Sequence, residues 1–176
     1  MTKTARPVPV LTSTRLMQVC DVFTVIVLVA TVGYVLRAWG GLPDRIPVHF
    51  NARGVADGWG GKGVLLAGPI IGAAVALLLA VVSRFPHRFN YIHPITEQNA
   101  QRHYTLAREM MALLRAVFAL LGAVIAWVQV TSAQAGASPA EHTILIVVLS
   151  LVGPQAVFIS YLVRASRVDS PASRRR

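Results

Sequence analysis

Residues 42–62 combine residue types that can do chemistry with the spacing of a short folded loop. The polar and aromatic candidates in this loop are His49, Asn51, Asp57, Trp59 and Lys62. A histidine and an aspartate can exchange a proton or hydrogen-bond a ligand, and Trp beside Lys is typical of a membrane-interface anchor. A zinc site usually takes three or four protein ligands, more than one His and one Asp supply. We therefore expect no metal and no cofactor, and we treat the five residues as a candidate ligand-binding set.

The same loop allows two other interpretations. In a structural one, Asp57 caps a glycine-rich turn, while His49 and Asn51 hydrogen-bond the loop to the helix ends. In a catalytic one, His49 and Asp57 act as acid and base on a lipid-linked substrate. His49 and Asn51 alternate with apolar neighbours, which predicts a short strand with one polar and one apolar face.

A second polar group lies further along the chain: Asn90, Glu97, Asn99 and Arg102. Just before it, Thr96 is a good N-cap, and the helix dipole favours an acid such as Glu97 in the first turn. One continuous helix over residues 97–130 is therefore predicted. The group either caps this helix or forms a cytoplasmic polar cluster that moves when the outer loop is occupied.

Two charged residues stand inside apolar blocks, and charges in such places deserve a functional hypothesis. Asp21 and Arg115 lie at comparable depths from the ends of their blocks. They either pair across a helix bundle, which offsets part of the cost of burying each charge, or extend separately to the headgroups.

The elements that must position these residues are membrane helices. The chain is 55% hydrophobic and 14% charged, whereas a soluble domain is about 25% charged. A membrane-spanning helix needs roughly 20 consecutive apolar residues, and the chain has four such blocks, at residues 16–36, 64–83, 110–130 and 143–163. With a single cysteine, Cys20, no intramolecular disulfide can form.

The predicted fold is therefore an all-α membrane protein, a four-helix transmembrane bundle with a structured extracytoplasmic loop between helices 1 and 2. A four-span domain covers residues 16–163, and its outward loop covers residues 37–63. A cytoplasmic tail precedes it at residues 1–15, and a basic cytoplasmic tail follows at residues 164–176.

The basic residues set the orientation, because cytoplasmic segments carry an excess of Lys and Arg. Twelve basic residues lie in the two tails and the second loop, four lie in the first loop, and none lies in the third loop. Both termini are thus expected in the cytoplasm, with the protein in the plasma membrane. The net charge is +10, and the basic residues behind it flank the apolar blocks. We therefore expect anionic lipids and no nucleic acid as partners.

The loop at residues 42–62 resembles the signature of a bacterial membrane-protein family, the SdpI-like proteins, which carry a domain of unknown function. The pattern is Leu-Pro-x-x-Ile-Pro-x-His-Phe-x-x-x-Gly-x-x-Asp-x-Trp-Gly-x-Lys. This sequence supplies each fixed position: Leu42, Pro43, Ile46, Pro47, His49, Phe50, Gly54, Asp57, Trp59, Gly60 and Lys62. A second family feature is matched by Asn90, Tyr91, Thr96, Glu97 and Asn99. Some members protect bacteria from a secreted toxic peptide and signal its presence, so the resemblance implies immunity or sensing.

No strong catalytic signature occurs in the sequence. We expect a non-catalytic multi-pass protein whose outward loop binds an extracellular or outer-leaflet ligand, such as a peptide or a partner membrane protein. A membrane enzyme acting on a lipid-linked substrate and an accessory subunit of a transporter are the alternatives. The oligomeric state stays open.

Overall fold

The structure is a computed structural model that describes residues 6–51, 53, 55–135 and 140–168. Its elements in chain order are α1 (Arg15–Ala38), a 3-10 turn (Trp39–Gly41), β1 (Arg45–Phe50), β2 (Ala56–Gly61), a 3-10 turn (Lys62–Leu66), α2 (Ala67–Val82), a 3-10 turn (Pro86–Arg88), α3 (Ala100–Ala135) and α4 (Ala140–Val168).

Within the described ranges, four helical segments are long and apolar enough to cross a membrane, and most of their apolar side chains point away from the protein. Val29 and Leu77, for example, are each 67% exposed, which suits lipid and not water. The predicted fold class is confirmed: four spans, with a two-stranded sheet between the first two. The chain is a multi-pass membrane protein.

The third helix is longer than the hydrocarbon core requires. Its 36 residues correspond to about 54 Å at 1.5 Å per residue, against a core of roughly 30 Å. The structure begins this helix at Ala100 and ends it at Ala135, whereas the sequence predicted residues 97–130. Just before this start, Thr96 and Asn99 form the reciprocal hydrogen bonds of a capping box, with Thr96 as the N-cap: the Thr96 N–H donates to Asn99 Oδ1 and the Asn99 N–H to Thr96 Oγ1.

The bundle is organised around α3, which packs against α1, α2 and α4, while α1 and α2 touch each other much less. Small residues recur every seven positions on the buried side of α3, at Ala112, Ala119, Ala126 and Ala133. Small side chains let membrane helices approach closely. This stripe therefore places α3 at the centre.

The hairpin formed by β1 and β2 is fixed to one end of the bundle by an apolar cluster. Ile46 and Leu65 are fully buried there, together with Val35 of α1 and Val130 of α3. Complete burial of an Ile, Leu or Val side chain stabilises a fold by roughly 1.5–3 kcal/mol. The base of the hairpin is thus anchored to the bundle.

Candidate functional site

The hairpin is an antiparallel pair with two irregularities in its register. Pro47 pairs with Trp59, His49 with Gly58, and Phe50 with Ala56. Val48 on one strand and Asp57 on the other are therefore extra residues, each opposite no partner of its own. Bulges of this kind re-aim side chains and often lie beside functional sites. The regular polar–apolar alternation expected from the sequence is broken accordingly: Ile46 and Pro47 are both buried, and Val48 is exposed.

The bulges bring His49 and Asp57 together. His49 Nδ1 lies 2.5 Å from Asp57 Oδ1, and the two side chains are 71% and 44% exposed. Gly58 makes this possible, because a Cβ atom at that position would stand 2.9 Å from His49 Cβ. The pair is an open polar contact with solvent access on its outer side.

Asn51 has a local role at the tip of the hairpin. Its Oδ1 accepts hydrogen bonds from the backbone N–H groups of Arg53 and Val55, at 2.9 and 3.1 Å. The structural interpretation of the sequence gave a capping role to Asp57; among the described residues of the turn, Asn51 is seen in that role. An asparagine side chain satisfies its own turn readily, which leaves the Asp57 carboxylate to His49.

The interfacial anchor expected of Trp59 and Lys62 stays a prediction, and the structure shows the surroundings of each residue. The Lys62 ammonium lies 3.2 Å from Asp44 Oδ1 and 5.6 Å from the centre of the Trp39 ring. Trp59 is 51% exposed. The lysine thus ties the base of the hairpin to the end of α1, and the indole is presented on the surface.

The outer face of the hairpin therefore carries an imidazole, a carboxylate and an indole at fixed positions. These groups can accept and donate hydrogen bonds and can cover an apolar or cationic ligand group. Within the described ranges, no three His, Cys, Asp or Glu side chains are grouped so that they could hold a metal ion.

The structure brings Asp21 and Arg115 together. Arg115 donates from Nε and Nη2 to the same oxygen, Asp21 Oδ1, at 3.2 and 2.5 Å. The Arg115 side chain is 9% exposed and that of Asp21 55% exposed. The contact joins α1 to α3 near the end of the bundle opposite the hairpin.

The members of the second polar group lie in different surroundings. Asn99 caps α3 and donates from Nδ2 to the Pro94 carbonyl, while Asn90 and Glu97 are exposed. Arg102 lines a cavity between the start of α3 and the end of α4.

Sequence reasoning missed an ion pair beside that cavity. The Arg164 guanidinium donates to Glu109 Oε2 at 2.5 Å, and the Glu109 side chain is 8% exposed. The signal for it was present, because an acid on an otherwise apolar helix requires a partner. The partner, 55 residues further on, could not be named from spacing.

Residues 6–14 also contribute more than the sequence indicated. Arg6 donates to the His87 carbonyl, Gln101 exchanges two hydrogen bonds with the backbone of Val10, and Arg108 donates to the Thr12 carbonyl. The described part of the N-terminal segment is therefore held against α3 and the connection between α2 and α3.

Comparison with known proteins gives one result. Residues 26–73 match a family model described as a domain of unknown function (DUF1648). The matched segment covers the second half of α1, the complete hairpin and the first part of α2. No curated protein and no solved structure matches the chain.

Proposed function

We propose that this membrane protein binds an extracytoplasmic ligand on the outer face of its hairpin and, as SdpI-like proteins do, protects the cell from a secreted membrane-active peptide or senses it. The observation that carries the proposal is the exposed His49–Asp57 pair on a hairpin with a buried base. A rigid support with exposed, fixed polar groups loses little conformational entropy on binding.

The surface around this pair suits a peptide. Trp59 is half exposed on the same strand as Asp57, and tryptophan is among the residues that most often dominate binding energy at protein interfaces. The Asp57 carboxylate is available on its outer side to a cationic side chain of the ligand. A cationic, partly apolar peptide would engage both groups.

The orientation follows from charge. Basic residues are concentrated in the segments opposite the hairpin, so we place both termini in the cytoplasm of a cell whose plasma membrane holds the protein. The hairpin then faces the side from which a secreted peptide arrives.

A survival assay tests the proposal. Cells with and without the protein are challenged with a panel of membrane-active antimicrobial peptides, and wild type is compared with the His49→Ala, Asp57→Asn double variant at matched membrane levels. The control is Gln134→Ala, which changes an exposed residue at the hairpin end of α3. Protection lost in the double variant and kept in the control supports the proposal. Equal sensitivity of cells with and without the protein to each peptide overturns it.

Binding is measured separately on purified protein in detergent. Because Trp59 is exposed, its fluorescence should change when a protective peptide binds. The Trp59→Phe variant, which keeps Trp39 and Trp127, should lose that change. An unchanged signal in Trp59→Phe would place the peptide elsewhere on the protein.

A further inference from the structure

The space between α1 and α2 forms a groove on the surface of α3, at the end of the bundle opposite the hairpin. Its volume is about 390 Å³, and it exists because both helices pack on α3 but hardly on each other. We call it the α1–α2 groove. Its lining includes Asp21, Leu28, Ala80, Arg84, Arg108 and Arg115.

The character of the α1–α2 groove changes along its length. Toward the middle of the helices it is lined by apolar residues such as Val25, Leu28 and Leu77. Toward the connection between α2 and α3 it is lined by Arg84 and Arg108. An apolar half toward the hydrocarbon and a cationic half toward the headgroups match the two halves of a phospholipid.

The charges in the groove do not balance. Among the described residues that line the groove, three carry a guanidinium group, Arg84, Arg108 and Arg115, and one carries a carboxylate, Asp21. Asp21 gives one oxygen to two donors of Arg115, and Arg108 uses Nη1 for the Thr12 carbonyl. The groove therefore carries an excess of positive charge, which attracts an anion.

Two of these guanidinium groups have buried donors left over. Among the residues that the structure describes, Arg115 Nη1 and Arg108 Nε are buried and have no hydrogen-bond partner, and Arg115 as a whole is 8% exposed. Buried donors are almost always satisfied in folded proteins. A phosphate offers the oxygen acceptors that guanidinium groups bind best.

From these observations we infer that the α1–α2 groove is a binding site for an anionic phospholipid. The phosphate is held by Arg84, Arg108 and Arg115, and an acyl chain lies along the apolar half. The lipid comes from the leaflet on the side of the α2–α3 connection. It fills the gap between α1 and α2 and so completes their packing.

The first test measures lipid retention by native mass spectrometry. The full-length protein in detergent is titrated with phosphatidylglycerol, phosphatidylcholine or inorganic phosphate. One phosphatidylglycerol per chain should bind about tenfold more tightly than phosphatidylcholine, because only the former carries net negative charge toward the arginines. Equal affinity for the two lipids overturns the inference, and so does displacement of phosphatidylglycerol by millimolar phosphate, which would mean a site for a free anion.

Variants separate the two halves of the site. Arg84→Gln combined with Arg108→Gln should weaken phosphatidylglycerol binding about tenfold, whereas Arg88→Gln, a basic residue of the same connection outside the groove, should leave it unchanged. Leu77→Trp narrows the apolar half and should also weaken lipid binding, while Leu78→Trp, at an exposed leucine of α2 outside the groove, should not. Since Arg115 supports the fold through Asp21, it is left intact. Equal losses in a variant and its control would overturn the inference.

Discussion

Gly68 of α2 and Gly122 of α3 meet backbone to backbone. A Cβ atom on Gly68 would lie 3.2 Å from the Gly122 carbonyl oxygen, and one on Gly122 would lie 3.1 Å from the Gly68 carbonyl oxygen. Both are tighter than ordinary contacts, and the neighbouring atoms are backbone atoms that cannot rotate away. This contact sets the distance between α2 and α3 at the hairpin end of the bundle.

Gly122→Ala should destabilise the bundle. Overpacking at a close contact costs about 1–3 kcal/mol, because α2 must move outward by a few tenths of an ångström, and Gly122→Leu should cost more. The measurement is the thermal unfolding midpoint in detergent. The control is Gly33→Ala on α1, where no atom lies within 4 Å of the added Cβ. An equal drop of the unfolding midpoint in both variants would contradict the prediction that the Gly68–Gly122 contact is too close for a side chain.

The Glu109–Arg164 pair should hold the end of α4. α4 packs mainly against α3, and this ion pair, with Glu109 buried and Arg164 44% exposed, joins the two helices there. Glu109→Ala leaves the Arg164 charge without its carboxylate, at a cost of about 1–3 kcal/mol. Hydrogen exchange in residues 157–168 should therefore speed up about tenfold or more, with Gln155→Ala as the control. Unchanged exchange would mean that apolar packing alone holds α4.

Tyr91 should make stability depend on pH in the alkaline range. Burial raises the pKa of Tyr91 above its ordinary value of 10.0, and its hydroxyl donates to the Pro86 carbonyl at 2.9 Å. With a folded-state pKa above that of the unfolded chain, the contribution is complete below pH 10 and is lost as the pH rises further. Tyr91→Phe should lose about 1 kcal/mol at pH 8, and its unfolding midpoint should fall less than that of wild type between pH 9 and 11. Parallel curves for the two proteins would contradict this.

The four spans could be predicted because each depends only on a continuous run of apolar residues. A structured loop with a short strand could also be predicted, because its alternating residues, prolines and glycines act locally; its pairing into a two-stranded hairpin is a finding of the structure. The fine geometry of the candidate site could not be predicted. It depends on the extra residues Val48 and Asp57, and nothing in the sequence says that the register shifts there.

Long-range contacts were predicted unevenly, and the difference is physical. Asp21 and Arg115 stand out as charges at matching depths in apolar blocks, so a pair was a natural hypothesis. Arg6 and Gln101, by contrast, bind backbone carbonyls more than 80 residues away in sequence. Because each residue offers such a carbonyl, no pattern identifies the partner.

Side-specific labelling should establish the orientation. In a Cys20→Ser background, Arg53→Cys at the tip of the hairpin should react with a membrane-impermeant maleimide in intact cells. Gln98→Cys, in the exposed turn before α3, should react only after the cells are lysed. The reverse result would place the hairpin in the cytoplasm and remove the basis for an extracellular ligand.

Gly58→Ala tests whether the His49–Asp57 arrangement matters apart from the groups themselves. The new Cβ would stand 2.9 Å from His49 Cβ, so His49 must move away from Asp57 although both side chains remain. If peptide protection depends on the arrangement, it should fall about as far in Gly58→Ala as in the His49→Ala, Asp57→Asn double variant. Gly61→Ala is the matched control, because its nearest atom would be 4.0 Å away. The opposite outcome is full protection by Gly58→Ala while the double variant loses protection. It would mean that His49 and Asp57 contact the ligand independently, because the ligand then tolerates a shift that breaks the contact between them.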